Sequence, residues 1–121
     1  MESTGKVLCI DDEPINLMIL KRVLDKKYKV LTAESGPQAL EILRKDPEIK
    51  LVITDMRMPG MSGLEFIREA NKQFSGKTYF MLSGYDLTED IQEALKSSLI
   101  SKYFQKPPDF QKIDEALQEI S

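Results

Sequence analysis

The chain has 121 residues, of which 41% are hydrophobic and 31% are charged. This length and this mixture are typical of one globular domain spanning 1–121, and they exclude an extended disordered chain. The formal net charge of −3 provides no basic surface for nucleic acid or for an anionic membrane, so neither is expected as a partner.

The counts of histidine and cysteine restrict which functional groups a catalytic or metal site could use. There is no histidine, so the most common general base and metal ligand is missing, which favours carboxylates and oxygen-binding cations. The one cysteine, Cys9, lies in an apolar run and is interpreted as a small buried hydrophobic residue. No apolar run approaches the length of about 18 residues that a membrane span needs, and residues 1–6 lack a signal-peptide core, so a cytoplasmic location is expected.

Short apolar runs alternate with amphipathic segments, which predicts a parallel sheet with crossover helices. The first predicted strand, 6–10, ends in the acidic residues Asp11, Asp12 and Glu13. Pro14 suits the first turn of the helix that follows. This helix is expected to pack on the sheet through apolar residues at helical spacing, namely Ile15, Ile19, Leu20, Val23 and Leu24.

The second unit repeats this pattern without the acidic cluster. A predicted strand at 29–33 is followed by Ser35, a candidate N-terminal cap for a helix that ends before Pro47. The residues that this helix is expected to bury are Ala39, Leu40 and Leu43.

The third unit contains the residue on which the functional interpretation depends. The predicted strand 51–55 begins with Leu, Val and Ile, which is typical of a strand buried on both faces, and it ends in Asp55. A turn over 58–63 follows, and Ser62 and Glu65 have the spacing of a capping box. A carboxylate is therefore expected at the edge where open α/β sheets bind their ligands.

The last two units each deliver a polar residue to the same edge. The predicted strand 78–82 delivers Ser83, and the predicted strand 102–106 ends in Lys106, with Asp109 as candidate cap of the last helix. The helix between them is predicted at about 88–98. Inward-facing residues are expected to be Leu87, Ile91, Ala94 and Leu95 in the fourth helix and Phe110, Ile113, Leu117 and Ile120 in the fifth.

Parallel strands share one carboxyl edge, so five polar residues are expected to meet there: Asp11, Asp12, Asp55, Ser83 and Lys106. Three carboxylates repel one another in a partly desolvated cleft, and a divalent cation would hold them ionised. Hard oxygen ligands favour Mg²⁺, with Mn²⁺ second. A lysine and a hydroxyl beside such a cation suit a phosphoryl group.

In order along the chain, these residues resemble the receiver domains of two-component response regulators. The motifs that carry the resemblance are Asp11-Asp12, Asp55 with Met58-Pro59-Gly60-Met61-Ser62-Gly63, Ser83-Gly84, and Tyr103 with Lys106-Pro107. The resemblance covers essentially the whole chain and implies a flavodoxin-like, doubly wound α/β fold with strand order 2-1-3-4-5.

The resemblance also implies roles for single residues. Asp55 would accept a phosphoryl group from phosphohistidine on a sensor histidine kinase or a histidine phosphotransfer protein. Asp12, Asp55 and the main-chain carbonyl of Arg57 would bind Mg²⁺ directly, with Asp11 assisting through water. Lys106 and Ser83 would contact phosphoryl oxygens. The domain would catalyse only its own phosphoryl transfer and dephosphorylation.

When the domain switches, Ser83 and the loop that ends at Leu87 would move, and the ring of Tyr103 would rotate inward. The surface formed by the fourth helix, fifth strand and fifth helix would then control a downstream effector protein or fused domain, and it is a candidate homodimer interface. Arg57 and Tyr85 would flank the path of the hydrolytic water, and we hypothesise that Tyr85 slows loss of the phosphoryl group. Ser98-Leu99-Ile100 departs from the small, glycine-containing segment usual at the end of the fourth helix.

Three other classes of protein share parts of this pattern. A dehalogenase-type phosphatase needs a second acid two residues after the nucleophile, where this chain has Arg57. A flavodoxin-like flavin binder needs a phosphate loop after the first strand, where Asp11 and Asp12 would repel phosphate. A receiver-like interaction module that is never phosphorylated is the remaining alternative. Taken singly, the acids could be helix-start charges, Lys106 a solvated cation and Tyr103 a core aromatic residue.

Overall fold

Five strands form a single parallel sheet in the order β2-β1-β3-β4-β5, with five helices between and after them. The computed structural model describes residues 5–84 and 87–120, without the side chain of Ile120. The elements are β1 Lys6–Ile10, α1 Pro14–Leu24, β2 Lys29–Ala33, α2 Gly36–Lys45, β3 Leu51–Asp55, α3 Gly63–Gln73, β4 Thr78–Ser83, α4 Glu89–Lys96, β5 Lys102–Gln105 and α5 Phe110–Ile120. The expected flavodoxin-like α/β fold and strand order are confirmed.

The sheet is buried on both faces because successive residues of the central strands face opposite layers. In β3, Val52 belongs to one core cluster, whereas Leu51 and Ile53 belong to the other. Residues of α2, α3 and α4 complete the first cluster, and residues of α1 and α5 complete the second. Cys9 is fully buried in the second cluster, as expected, and burial raises the pKa of its thiol to about 12.

The helix starts follow the capping signals in the sequence. Ser35 accepts the N–H of Gln38 at 3.2 Å. Ser62 and Glu65 form the expected capping box: the hydroxyl accepts the Glu65 N–H at 3.1 Å, and the Glu65 carboxylate accepts the Ser62 N–H at 2.8 Å. The Asp109 carboxylate accepts the N–H of Gln111 at 3.0 Å in the first turn of α5. These side chains satisfy backbone donors that a helix start leaves without an intrahelical partner.

The core-facing side of α1 differs from the prediction. Its buried apolar residues are Leu17, Leu20 and Leu24, of which Leu20 and Leu24 were expected. Ile15, Ile19 and Val23, which were expected to face the core, are 67%, 45% and 38% exposed, and Met18 is 57% exposed. Both triplets have helical spacing, so periodicity alone could not choose between them; the packing of the leucines on β1, β3 and α5 decides it.

The predicted start of α4, at about Thr88, is confirmed, but the helix ends at Lys96, before the predicted Ser98, and Leu87 does not face the core. Thr88 is the N-cap, and Leu87 precedes the helix with 42% exposure.

In α5, Phe110 is only partly buried, while Ile113 and Leu117 are buried as expected.

The end of α4 adopts the left-handed conformation that glycine favours, although the residue there is serine. Ser98 has φ 67°, its N–H donates to the Leu95 carbonyl at 3.1 Å, and the Leu99 N–H donates to the Ala94 carbonyl at 2.9 Å. This is the paired hydrogen-bond pattern of a Schellman cap. A residue with a Cβ pays roughly 1–2 kcal/mol for this conformation. The cap therefore forms without glycine, and Ser98 is strained in it.

No helix within the described ranges is long and apolar enough to cross a membrane.

Candidate functional site

The carboxyl ends of β1 and β3 bring the three predicted acids together. Asp11 and Asp12 follow β1 directly, and Asp55 is the last residue of β3. One carboxylate oxygen from each of the three lies within 4.8 Å of the others. Asp11 and Asp55 are buried, at 1% and 7% exposure, whereas Asp12 is more accessible. The site is therefore an acidic cluster that opens to solvent on one side.

Lys106 bridges the two buried acids of this cluster. Its Nζ lies 3.1 Å from Asp11 Oδ2 and 3.1 Å from Asp55 Oδ1. Its backbone N–H donates to the carbonyl of Ser83 at 2.7 Å, and its peptide bond to Pro107 is cis. One ammonium among three carboxylates leaves an excess of negative charge, which is the electrostatic condition that a divalent cation relieves.

The pKa values of Asp55 and Lys106 are both raised, which disfavours the charged form of the acid and favours that of the lysine. Burial raises the pKa of the Asp55 carboxyl, and the hydrogen bond and charge of Lys106 lower it only in part. Burial disfavours the charged form of Lys106, but the hydrogen bonds and charges of Asp55 and Asp11 outweigh it, so its pKa lies above the ordinary value. The lysine thus remains charged beside a carboxylate that the fold holds in an unfavourable environment.

Asp11 is held by more than the lysine. Its Oδ1 accepts the backbone N–H of Glu13 at 3.0 Å, and its Oδ2 accepts the side-chain amide of Asn16 at 3.2 Å. The same amide nitrogen of Asn16 donates to Glu13 Oε1 at 3.0 Å. Asn16 was not among the residues expected at the site. Its position one turn into α1, with Asp11 before the helix, is the only sequence signal that could have suggested it.

A tight corner behind Asp55 fixes the position of its backbone. The N–H of Gly63 donates to the carbonyl of Met56 at 2.8 Å, and a Cβ on Gly63 would lie 2.1 Å from the Asp55 carbonyl oxygen. Only glycine allows the first turn of α3 to approach the end of β3 so closely. The hydroxyl of Thr54 donates to the same Asp55 oxygen at 2.9 Å.

The remaining predicted residues lie on the neighbouring strands. Ser83 is buried at the end of β4, one residue beyond Leu82, which pairs with Asp55. Tyr103 pairs with Met81 and is partly buried against the core under α4. Arg57 is exposed, two residues after Asp55.

Tyr85 lies outside the described residues, so its predicted position beside the acidic cluster stays a prediction.

A cavity of about 420 Å³ adjoins the acidic cluster between α1 and α5. Asp11 and Lys106 line it at the polar end, and its apolar lining includes Leu20, Pro108 and Phe110. The acidic cluster is thus bordered on the α1 side by apolar surface.

The donor set fits a hard divalent cation. The cluster offers carboxylate oxygens only, two of its three members are buried, and the chain contains no histidine that could replace them. Carboxylates of this kind, completed by a backbone carbonyl and water, are the ligands that Mg²⁺ takes in proteins.

A doubly wound parallel sheet with this acidic cluster and lysine at its carboxyl edge defines a phosphorylation-based signalling domain rather than a flavin-binding one. In agreement, the family model "Response regulator receiver domain" matches residues 7–118. The chain therefore belongs to the receiver-domain family of two-component response regulators.

Relatives of two kinds share this domain. The hydrogenase transcriptional regulatory protein HoxA of Cupriavidus necator is 35% identical over 106 residues, which is 88% of this chain and 22% of HoxA. A chemotaxis protein CheY homolog of Campylobacter jejuni is 31% identical over 119 residues, 95% of this chain and 91% of that protein. The chain thus spans about a quarter or less of the first curated relatives that it matches, but nearly all of the CheY homolog.

One relative has a solved structure that contains Mg²⁺ and BeF. The response regulator TrrA from Thermotoga maritima, in complex with Mg²⁺–BeF, superimposes with a TM-score of 0.83 and 30% identity. The match covers 97% of this chain and 99% of TrrA.

Proposed function

We propose that 1–121 is a single receiver domain that works as a phosphorylation-dependent switch, with Asp55 as its phosphoacceptor. The observation that carries this proposal is Lys106 Nζ at 3.1 Å from both Asp55 and Asp11, inside a cluster of three carboxylates. A nucleophile, a cation cluster and a fixed ammonium are the groups that phosphoryl transfer needs.

The reaction transfers one phosphoryl group from a histidine nitrogen of the donor protein to a carboxylate oxygen of Asp55. A carboxylate oxygen of Asp55 attacks the phosphorus of phosphohistidine, the P–N bond breaks, and its electron pair stays on the histidine nitrogen. Lys106 then leaves the carboxylates and neutralises a phosphoryl oxygen, and the hydroxyl of Ser83 donates to another. In a separate dephosphorylation step, water attacks phosphorus, the P–O bond to Asp55 breaks with its electron pair returning to the carboxylate, and inorganic phosphate and a proton are released.

The acidic cluster would hold Mg²⁺, or Mn²⁺ in its place, through Asp12, Asp55 and the main-chain carbonyl of Arg57, with Asp11 assisting through water. When bound, the cation supplies positive charge to the phosphoryl oxygens during transfer. The Mg²⁺–BeF complex of TrrA supports this assignment by analogy.

The phosphoryl donor is a protein, either a sensor histidine kinase or a histidine phosphotransfer protein. This part of the proposal is supported by the α1 stripe, the exposed residues Ile15, Met18, Ile19 and Val23. The stripe begins beside the acidic cluster, so any protein that reaches Asp55 with a phosphohistidine covers its apolar surface. A small-molecule donor would leave that surface exposed to water.

Movement of Ser83 and Tyr103 would change the surface formed by α4, β5 and α5. That surface would contact an effector protein, a fused domain or a second copy of the chain. Arg57 and Tyr85 would set the rate at which water removes the phosphoryl group. The size of HoxA relative to this chain supports an effector domain in such proteins.

The test is intact-mass spectrometry after incubation with acetyl phosphate and Mg²⁺. The wild-type chain should gain one phosphoryl mass increment, and Asp55→Asn should gain none. Asp25→Asn is the matched control, because Asp25 is the exposed C-cap residue of α1, away from the acidic cluster, and its side chain pairs with Lys21. A wild-type chain that gains no phosphoryl group would contradict the proposal and favour an interaction module that is never phosphorylated.

A further inference from the structure

Asn16 occupies an unusual position between two acids. Its amide nitrogen lies 3.2 Å from Asp11 Oδ2 and 3.0 Å from Glu13 Oε1, and the residue is half-buried at the wall of the cavity beside Lys106. Both contacted atoms are carboxylate oxygens, which only accept hydrogen bonds. The amide group must therefore present its two N–H bonds to them, because its carbonyl oxygen would be repelled by both.

The contacts of Asn16 belong to a closed ring. The backbone N–H of Glu13 donates to Asp11 Oδ1 at 3.0 Å, the Glu13 side chain accepts from Asn16, and Asn16 donates to Asp11 Oδ2. Glu13 is the N-cap residue of α1, yet its side chain forms no capping hydrogen bond. The ring thus ties the Asp11 carboxylate to the first turn of α1 through both of its oxygens.

Asp11 Oδ2 has a second side-chain donor, Lys106, and this donor is shared with Asp55. The two donors differ in what happens to them during the reaction that we propose. A phosphoryl group on Asp55 attracts the ammonium of Lys106 away from Asp11. Asn16 is neutral and fixed by its helix, so the same event leaves its hydrogen bond intact.

We infer that Asn16 is the positioning residue for Asp11: it orients that carboxylate for the divalent cation both before Lys106 transfers to the phosphoryl group and afterwards. The inference rests on the proposed function. Without Asn16, the departure of Lys106 would leave the buried Asp11 carboxylate with neither of its two side-chain donors, which costs desolvation free energy or lets the carboxylate rotate away. Asn16 prevents this without adding positive charge beside the cation, which a lysine or arginine at the same position would do.

The experiment measures Mg²⁺ binding by isothermal titration calorimetry, without any phosphoryl donor. Asn16→Leu keeps the approximate volume and removes both donors, whereas Asn16→Gln keeps an amide. Asn71→Leu is the matched control, since Asn71 is exposed on α3. Loss of a hydrogen bond that orients a metal ligand typically weakens metal binding by about tenfold or more. We therefore expect the Mg²⁺ dissociation constant to rise about tenfold in Asn16→Leu, less in Asn16→Gln, and not in Asn71→Leu.

Urea unfolding without Mg²⁺ separates positioning from a merely structural role. If Asn16 only stabilised the start of α1, Asn16→Leu would lower the free energy of unfolding and leave the Mg²⁺ dissociation constant unchanged, which would overturn the inference. If Asn16→Leu does not fold, Asn16→Ala gives the same two measurements. A wild-type chain that binds no Mg²⁺ would overturn the proposed function itself, and the inference with it.

Discussion

The corners that follow β3 and β4 both begin at a residue of the site, but they are built differently. The corner between Asp55 and α3 has a two-bond capping box and a close approach that only Gly63 permits. Among its described residues, the corner that leads to α4 has one capping bond, from the Ile91 N–H to Thr88 at 3.3 Å, and an exposed Leu87.

The two helices differ in the same direction. α3 has 11 residues, five of them buried: Gly63, Leu64, Phe66, Ile67 and Ala70. α4 has 8 residues, buries Ile91 and Ala94, and ends in the strained cap at Ser98. Elements with few buried apolar contacts open locally at low free energy. We therefore expect the α3 corner to hold Asp55 in place and α4 to be the helix whose position a new charge at Asp55 shifts.

The largest effect is expected from adding one methyl group to the rigid corner. Gly63→Ala places a Cβ 2.1 Å from the backbone oxygen of Asp55, so β3 and α3 must separate. We expect a loss of about 3 kcal/mol in the free energy of unfolding, measured by urea denaturation. Gly84→Ala, where a Cβ would meet nothing within 4 Å, should change stability by less than about 0.5 kcal/mol. Equal effects of the two substitutions would remove the contrast between the corners.

A smaller effect of opposite sign is expected at the C-terminal end of α4. Ser98→Gly relieves the left-handed strain at the end of α4 and should raise the free energy of unfolding by about 1 kcal/mol. Ser97→Gly is the control, because Ser97 has φ −85° and gains nothing from glycine, which should make this variant less stable than wild type. A Ser98→Gly variant that is no more stable than wild type would mean that the cap is not strained.

The smallest of the three effects on stability concerns the negative charge of Asp55, which lies at the α3 corner. Burial raises the pKa of Asp55, so ionising it disfavours the folded state, although Lys106 offsets part of that effect. Asp55→Asn should therefore be more stable than wild type at neutral pH. The difference should shrink as the pH falls toward 3.8, the ordinary pKa of the group, because the wild-type carboxyl then becomes neutral in both states. Thermal unfolding from neutral to mildly acidic pH checks the sign, and a difference that grows on acidification would contradict it.

Much of the fold could be predicted from the sequence because the local signals agreed with one another. Strand composition, capping residues and alternation of elements all indicated the same α/β order, and the strand ends then located the acids and Lys106 on one edge. The face of α1 could be predicted only in part, because Ile15, Ile19 and Val23 have a helical spacing as plausible as that of the leucines that are buried.

Two features of the site depend on contacts that no local pattern encodes. The need for glycine at position 63 arises from the approach of α3 to Asp55, which the turn sequence does not specify. Asn16 is an ordinary helix residue until the fold brings Asp11 and Glu13 to its amide. Both are consequences of tertiary packing at a strand end.

The central claim is that phosphorylation of Asp55 acts on a loosely held α4 and leaves the α3 corner unchanged. It is tested most directly by amide hydrogen exchange of the wild-type chain with and without acetyl phosphate and Mg²⁺, with Asp55→Asn as control. The account expects exchange in α4 and β5 to change on phosphorylation, exchange in α3 to stay the same, and the Asp55→Asn variant to show no change. Altered exchange in α3 with none in α4, or the same response in Asp55→Asn, would contradict it.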